Sequence, residues 1–223
     1  MRLEKITDDR QRWYDDACGT ALAMELMGER WSMLIVRELM FGPRRFGEVR
    51  AGLPGISANV LTQRLEGLIE SGIATKRHLP SPANVQVYDL TDWGRDAGPL
   101  IRQLGHWAAR SPRHDRMAFM SPASAMMSLE ALVDRDRAVA QDMTIAFRFP
   151  ADAFVARVDA DGLSIRRGED AGADATFTGD TLALRMTIYG KVPFDAAEGM
   201  AVDGDRTLAR RFVDLFRLPE KIA

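Results

Sequence analysis

Between residues 33 and 90 the chain is cut into short pieces by glycine and proline. Met33 to Met40 carries Leu34, Ile35, Val36 and Leu39 at helical spacing, and Phe41-Gly42-Pro43 ends that run. Glycine accepts a left-handed cap and proline cannot continue a helix. Phe46 to Ala51 has room for one short helix. Leu53-Pro54-Gly55-Ile56 is a tight turn, and Ser57 then offers an N-cap for a third helix running to about Ser71, where Gly72 stops it. Residues 73–79 and 85–90 alternate as strands around the turn Pro80-Ser81-Pro82-Ala83-Asn84. Three short helices followed by a hairpin is the winged helix–turn–helix plan.

The third helix carries the information about function. At 100° per residue, Val60, Leu61, Leu65, Leu68 and Ile69 share one face, while Asn59, Gln63, Glu66 and Glu70 lie opposite. Ser57, Ala58, Asn59, Thr62 and Gln63 give a small, polar, uncharged surface near its N-terminal end. Amide side chains can pair with base edges, and small neighbours permit close approach in a major groove. Residues 40–80 hold six basic residues (Arg44, Arg45, Arg50, Arg64, Lys76, Arg77) against three acidic ones. Arg44, Arg45, Arg64, Lys76, Arg77 and His78 are therefore expected beside the DNA backbone. The whole chain has net charge −2, which excludes a histone-like binder but not a local basic patch.

Cys18 through about Arg110 resembles the HxlR family of bacterial winged-helix regulators, relatives of MarR. The matching residues are Cys18, Gly28-Glu29-Arg30-Trp31-Ser32, Leu34-Ile35, Arg37-Glu38-Leu39, Gly42-Pro43-Arg44-Arg45-Phe46-Gly47-Glu48, Pro54-Gly55-Ile56-Ser57, Leu61-Thr62-Gln63-Arg64-Leu65, Gly72, Tyr88-Asp89-Leu90-Thr91 and Gly94. The resemblance implies sequence-specific binding to a double-stranded DNA operator as a homodimer. Asn59 and the absence of charge after Ser57 depart from the family pattern and bear on base preference. Thr91 opens a long apolar helix to about Arg110, with Pro99 inside it as an expected kink. The resemblance favours a dimer through the N-terminal helix and this one, setting two recognition helices about 34 Å apart.

The family also includes members that sense oxidants or electrophiles at a cysteine in the position of Cys18. From the residues alone, Cys18 reads as a small apolar residue in the first helix beside Ala17, Ala21 and Leu22. Asp15 and Asp16 precede it, so its thiol pKa is expected to be raised.

Ser111-Pro112-Arg113-His114-Asp115 and Ser121-Pro122 break periodicity, which places a boundary near 112–120. Residues 1–112 form the expected DNA-binding and dimerisation domain, and 120–223 a second, smaller one. The second half reads as a helix from Ser121-Pro122, short alternating strands around Ile145–Phe149, Phe154–Val158, Leu163–Arg166 and Ala173–Thr178, a helix capped by Asp180, a strand at Met200–Val202, and a last helix capped by Asp205. This order resembles the sterol-carrier-protein-like domain, on Ala173-Asp174-Ala175-Thr176-Phe177, Asp180, Leu182 to Met186, Gly190-Lys191, Phe194-Asp195, Met200, Val202-Asp203-Gly204-Asp205 and the final helix. The resemblance implies an antiparallel sheet covered by helices, with an apolar cavity. Met126, Phe147, Phe154, Met186 and Phe212 are the expected lining for a hydrophobic effector, the alternative being that they fill the core. The expected class is α+β throughout.

No Gly-x-Ser-x-Gly elbow, phosphate loop or dinucleotide fingerprint occurs. His78, His106 and His114 are scattered and Cys18 is the only cysteine, so neither a metal site nor a cofactor is expected, and no enzyme. No signal peptide is read in Met1-Arg2-Leu3-Glu4-Lys5 and no run of 18 apolar residues exists, so a cytoplasmic protein without a membrane partner is expected. Three readings stand. The first is a regulator with an apolar effector. The second is a regulator switched at Cys18, its C-terminal domain only structural. The third is a lipid-binding module without DNA binding.

Overall fold

The computed structural model describes residues 14–222. The Met1–Lys5 start, on which the expectation of no signal peptide rests, lies outside them. Four helices come first: α1 (Gly19–Met27), α2 (Ser32–Leu39), α3 (Phe46–Ala51) and α4 (Ala58–Glu70). The hairpin β1 (Ala74–Leu79) and β2 (Val85–Leu90) follows, then α5 (Asp92–Ala109). Ile35, Val36, Leu39, Val49, Leu61, Leu65, Leu68, Leu90 and Ala97 form one apolar cluster.

The turn chemistry explains the geometry. Ser57 Oγ accepts from Val60 N at 3.2 Å and starts α4. At its end Gly72 takes φ +72°, Gly72 N donates to Ile69 O and Ile73 N to Leu68 O, closing the helix with a Schellman motif. Gly94 sits in the first turn of α5, where an added Cβ would lie 2.0 Å from Ile73 O. Ala97 is buried with Gly94 and Gly98, so α5 approaches the hairpin and α2 on a face of small residues.

The second half contains α6 (Pro122–Leu132), α7 (Arg135–Ala138), β3 (Met143–Phe149), β4 (Asp152–Asp159), β5 (Gly162–Arg167), β6 (Ala175–Gly179), α8 (Thr181–Ile188), β7 (Met200–Gly204) and α9 (Arg206–Val213). Side chains of Ser121, Asp180 and Asp205 cap α6, α8 and α9. The sheet order is β5-β4-β3-β6-β7. Three pairings are antiparallel, but β3 and β6 run parallel, which corrects the expectation of an antiparallel sheet. The cause is the segment 168–174. Gly168 N bonds Ala153 O at its start and Asp174 N bonds Thr144 O at its end, so the chain returns to the beginning of β3 before pairing with its free edge.

A second apolar cluster gathers Met126, Phe147, Phe154, Phe177, Phe212 and Phe216, with Phe147 and Phe177 stacked at 5.6 Å. The two clusters meet over polar bridges. Ser121 Oγ donates to the buried Glu38 Oε1 at 2.6 Å, and Arg102 of α5 pairs with Glu130 of α6 at 3.0 Å. Burial raises the Glu130 pKa, and Arg102 offsets part of that rise. Phe41 packs edge-on against Phe154. Among the described residues no helix is long and apolar enough to cross a membrane.

Candidate functional site

The outer face of α4 is the first candidate. Leu61, Leu65 and Leu68 are buried, while Ser57, Asn59, Thr62 and Gln63 are exposed and Ala58 is half-buried. Arg64 turns out to be a clamp rather than a free cation. Its Nη2 lies 2.6 Å from Glu29 Oε2 and its Nε donates to Arg30 O at 3.2 Å. That fixes α4 to the α1–α2 turn, where Trp31 holds a left-handed backbone at φ +82°.

Arg44 is likewise placed differently from the expectation. Its side chain is 14% exposed and its Nη1 lies 2.9 Å from Asp152 Oδ2 on β4. Its backbone exchanges two 2.8 Å hydrogen bonds with Tyr88, adding a bridge to the hairpin. A basic residue after Gly-Pro looks solvated in sequence, whereas the partner of this one is 108 residues away. Arg45 is exposed, with its backbone N held by Glu48 Oε2.

On the hairpin, Lys76, Arg77 and His78 are all exposed, but strand alternation separates them. Lys76 and His78 share one face. Arg77 lies on the other, where its Nη2 is 2.5 Å from the buried carboxylate of Asp89, which Arg95 also contacts at 2.9 Å. His78 Nε2 is 2.8 Å from Asn84 Oδ1 across the turn.

A second candidate is a cavity of about 540 Å³ between the two apolar clusters. Its walls are Met33 and Leu34 of α2, Ile101 and Leu104 of α5, Met127 and Ala131 of α6, Met186 of α8 and Tyr189 just after it, and Met117 and Met120 of the intervening segment. Of the five residues expected to line a pocket, only Met186 borders it. Met126, Phe147, Phe154 and Phe212 are fully buried in the second cluster and border none of this cavity. A unit of this size uses its largest apolar side chains for its own core. The cavity is not evident in the sequence, where residues 111–120 look like a linker between two domains. The signal was Met117, Phe119 and Met120, three large apolar residues in an expected linker.

The polar edge of the cavity is basic. Arg37, Arg102, Arg116, Arg185, His106 and His114 line it, with no carboxylate among the lining residues. Arg185 donates from Nε to Thr181 O and from Nη1 to Arg116 O at 2.7 Å. Burial lowers its pKa, opposed by more distant Asp180. Burial also lowers the His114 pKa, with Lys221 adding to the effect, and its Nδ1 is buried without a hydrogen-bond partner. Tyr189 Oη pairs with Ser128 Oγ at 2.7 Å, and burial pushes its phenol pKa upward, so it stays neutral.

Cys18 is exposed and precedes α1 as its N-cap residue, not inside the helix. Hydrogen bonds from Thr20 and the backbone of Ala21 lower its pKa. This reverses the expectation from Asp15 and Asp16, since the shift comes from the hydrogen bonds that Thr20 and Ala21 make at the start of α1.

A family model for the HxlR-like helix-turn-helix matches residues 26–116. The HTH-type transcriptional regulator YvaP of Bacillus subtilis is 36% identical over 87 residues, 39% of this chain and 80% of its own length. The regulator Rv3095 of Mycobacterium tuberculosis is 39% identical over 102 residues, 46% of this chain and 63% of its own length. The solved reduced form of the transcriptional regulator YodB from B. subtilis is 31% identical, covers 45% of this chain and 100% of its own, and has a TM-score of 0.40. The chain belongs to the HxlR-like helix-turn-helix family.

Proposed function

We propose that the protein is a homodimeric transcriptional regulator that binds operator DNA through α4 and the hairpin, and responds to a small molecule held between its two halves. The observation that carries the DNA reading is the α4 surface. Asn59, Thr62 and Gln63 stand exposed on a helix whose opposite face is buried, with the exposed cations Arg45 and Lys76 on the adjoining elements. Residues 1–112 form the DNA-binding unit in this reading, and 120–223 a sterol-carrier-protein-like unit. A DNA partner implies a cytoplasmic location.

Dimerisation is supported by an exposed apolar stripe on α5 that has no partner among the described residues. Trp93, Leu100, Leu104 and Trp107 recur at i, i+7, i+11 and i+14, and all are exposed, Trp107 by 70%. Leu22 and Met24 add exposed apolar surface on α1. A ligand site is supported by the cavity, whose volume falls within the usual range of small-molecule pockets. A second reading, a switch at Cys18, is favoured by the exposure and lowered pKa of that thiol.

Gel shifts against the protein's own upstream region at two salt concentrations test the main reading. Gln63→Ala should cost roughly 1–3 kcal/mol of discrimination between sites. Lys76→Ala should weaken all sites alike and reduce the salt slope by about one. A monomer with no DNA affinity at low salt would refute the proposal.

A further inference from the structure

The cavity between the two halves has a charge pattern that a purely apolar ligand would not need. Two of its four arginines are neutralised, Arg37 by Glu38 and Arg102 by Glu130. The other two, Arg116 and Arg185, make no ion pair among the described residues. Arg185 bonds only carbonyl oxygens, and its Nη2 has no partner among those residues. Asp180 and Asp115 act on it from beyond ion-pair distance. His114 lines the same edge, its Nδ1 enclosed by protein and without a hydrogen-bond partner among the described residues. The opposite walls are methionine and leucine, with no carboxylate to attract a cation.

We propose that this cavity binds an amphipathic small molecule bearing one carboxylate, its acid group on Arg185 and its apolar body among Met33, Leu104, Met117, Met127 and Met186. The guanidinium fork matches a carboxylate, and a charged acceptor gives the stronger class of hydrogen bond. An uncharged ligand would cover this half-buried guanidinium without supplying an acceptor for its Nη2. The unbranched thioether side chains adapt to an irregular chain. This names the chemistry of the effector proposed above. Only the effect on DNA depends on that reading, because binding is measured apart from it.

Decanoate, decan-1-ol and decyltrimethylammonium share one apolar chain and differ in head charge. Each is titrated calorimetrically, below its micelle concentration, into the full-length protein, Arg185→Gln and Arg185→Lys. Decanoate should bind at least about tenfold tighter than the alcohol, with no saturable binding of the cation. Arg185→Gln should bring decanoate down to the affinity of the alcohol and leave the alcohol unchanged, and Arg185→Lys should restore part of the difference. If Arg185→Gln does not fold, Met186→Trp provides the second test: it fills the cavity from a partly exposed position and must weaken decanoate. Equal binding of acid and alcohol, no saturable binding of decanoate, or a Met186→Trp variant that binds decanoate as the parent does would each overturn the proposal. Gel shifts run alongside separate the two readings. Decanoate binding without DNA binding removes the regulator and keeps the ligand class. DNA binding without decanoate binding does the reverse.

Discussion

Replacing Asp152 by alanine should be among the most damaging single changes in this protein. Its carboxylate is 6% exposed and receives two guanidinium groups: Arg167 Nη1 at 2.6 and 2.5 Å, and Arg44 Nη1 at 2.9 Å. Those arginines are only 14% (Arg44) and 18% (Arg167) exposed, and Arg167 also lies over the Phe154 ring and donates to Phe41 O. Arg44 Nε and Arg167 Nη2 are already buried without a hydrogen-bond partner among the described residues, with Glu48 Oε2 3.7 Å from Arg44 Nε. Burial lowers the Arg167 pKa, and Arg44 lowers it further. Asp152→Ala would leave Arg167 buried without a carboxylate beside a second cation, Arg44, whose remaining ion-pair partner is Glu48 at 3.7 Å, at a cost of about 3–5 kcal/mol. Replacing all three together by apolar side chains, as Arg44→Met, Asp152→Leu and Arg167→Met, should instead lie near neutrality or up to about 4 kcal/mol more stable. Urea unfolding followed by two probes measures this. All four tryptophans precede residue 108, so their fluorescence reports the first half alone, while far-UV circular dichroism reports both. Asp152→Ala should lower the midpoint and separate the two curves, because the cluster joins the halves. Arg44→Ala should destabilise too, yet leave the slope of DNA affinity against salt unchanged. An Arg44→Ala protein with parental stability and a slope reduced by about one would make Arg44 a phosphate contact and refute this account.

Three further outcomes are expected. Gly94→Ala should destabilise by about 1–3 kcal/mol in thermal or urea melts, because its Cβ would meet the backbone of Ile73 at 2.0 Å and no rotamer relieves that. Trp107→Asp, at a site 70% exposed, should convert a dimer to a monomer in sedimentation with little loss of secondary structure; an unchanged dimer would move the interface away from the α5 stripe. Alkylation of Cys18 by iodoacetamide against pH should give a lower apparent thiol pKa in the native protein than in urea, since the amides at the start of α1 favour thiolate and are lost on unfolding.

The parts that were legible in the sequence are local. Ser57, Gly72, Ser121, Asp180 and Asp205 act within a few residues, and the helices and strands they bound follow their signals closely. The polar face of α4 was legible because a 3.6-residue period fixes which side chains oppose the buried leucines. What was not legible depends on distant partners. The ion pairs of Arg44 with Asp152 and of Arg64 with Glu29 join residues far apart in the chain. The parallel pairing of β3 with β6 depends on where residues 168–174 cross, which no residue pattern marks. Likewise the phenylalanines expected around a pocket make a core, while the cavity forms where helices from both halves meet.

Helix α5 is where these features converge. Its first turns are fixed, since Gly94, Ala97 and Gly98 are buried, a Cβ on Gly94 would strike the Ile73 carbonyl, and Gly98 lies close to the Met40 sulfur. Its second half carries Leu104 both in the exposed stripe and in the cavity wall, with Ile101, Gly105 and Ala108 beside it. Pro99 lies between the two, and having no amide hydrogen it removes one helical hydrogen bond at that place. A ligand among the methionines of α2, α6 and α8 would therefore touch the same residue as a second subunit, on the less constrained side of Pro99. Such a ligand shifts DNA affinity only by the difference in its contacts between the dimer arrangements, typically about 1–3 kcal/mol. Under that constraint, substitutions at Leu104 should change ligand affinity and dimer affinity together. Substitutions at Trp93, in the same stripe but outside the cavity lining, should change the dimer alone.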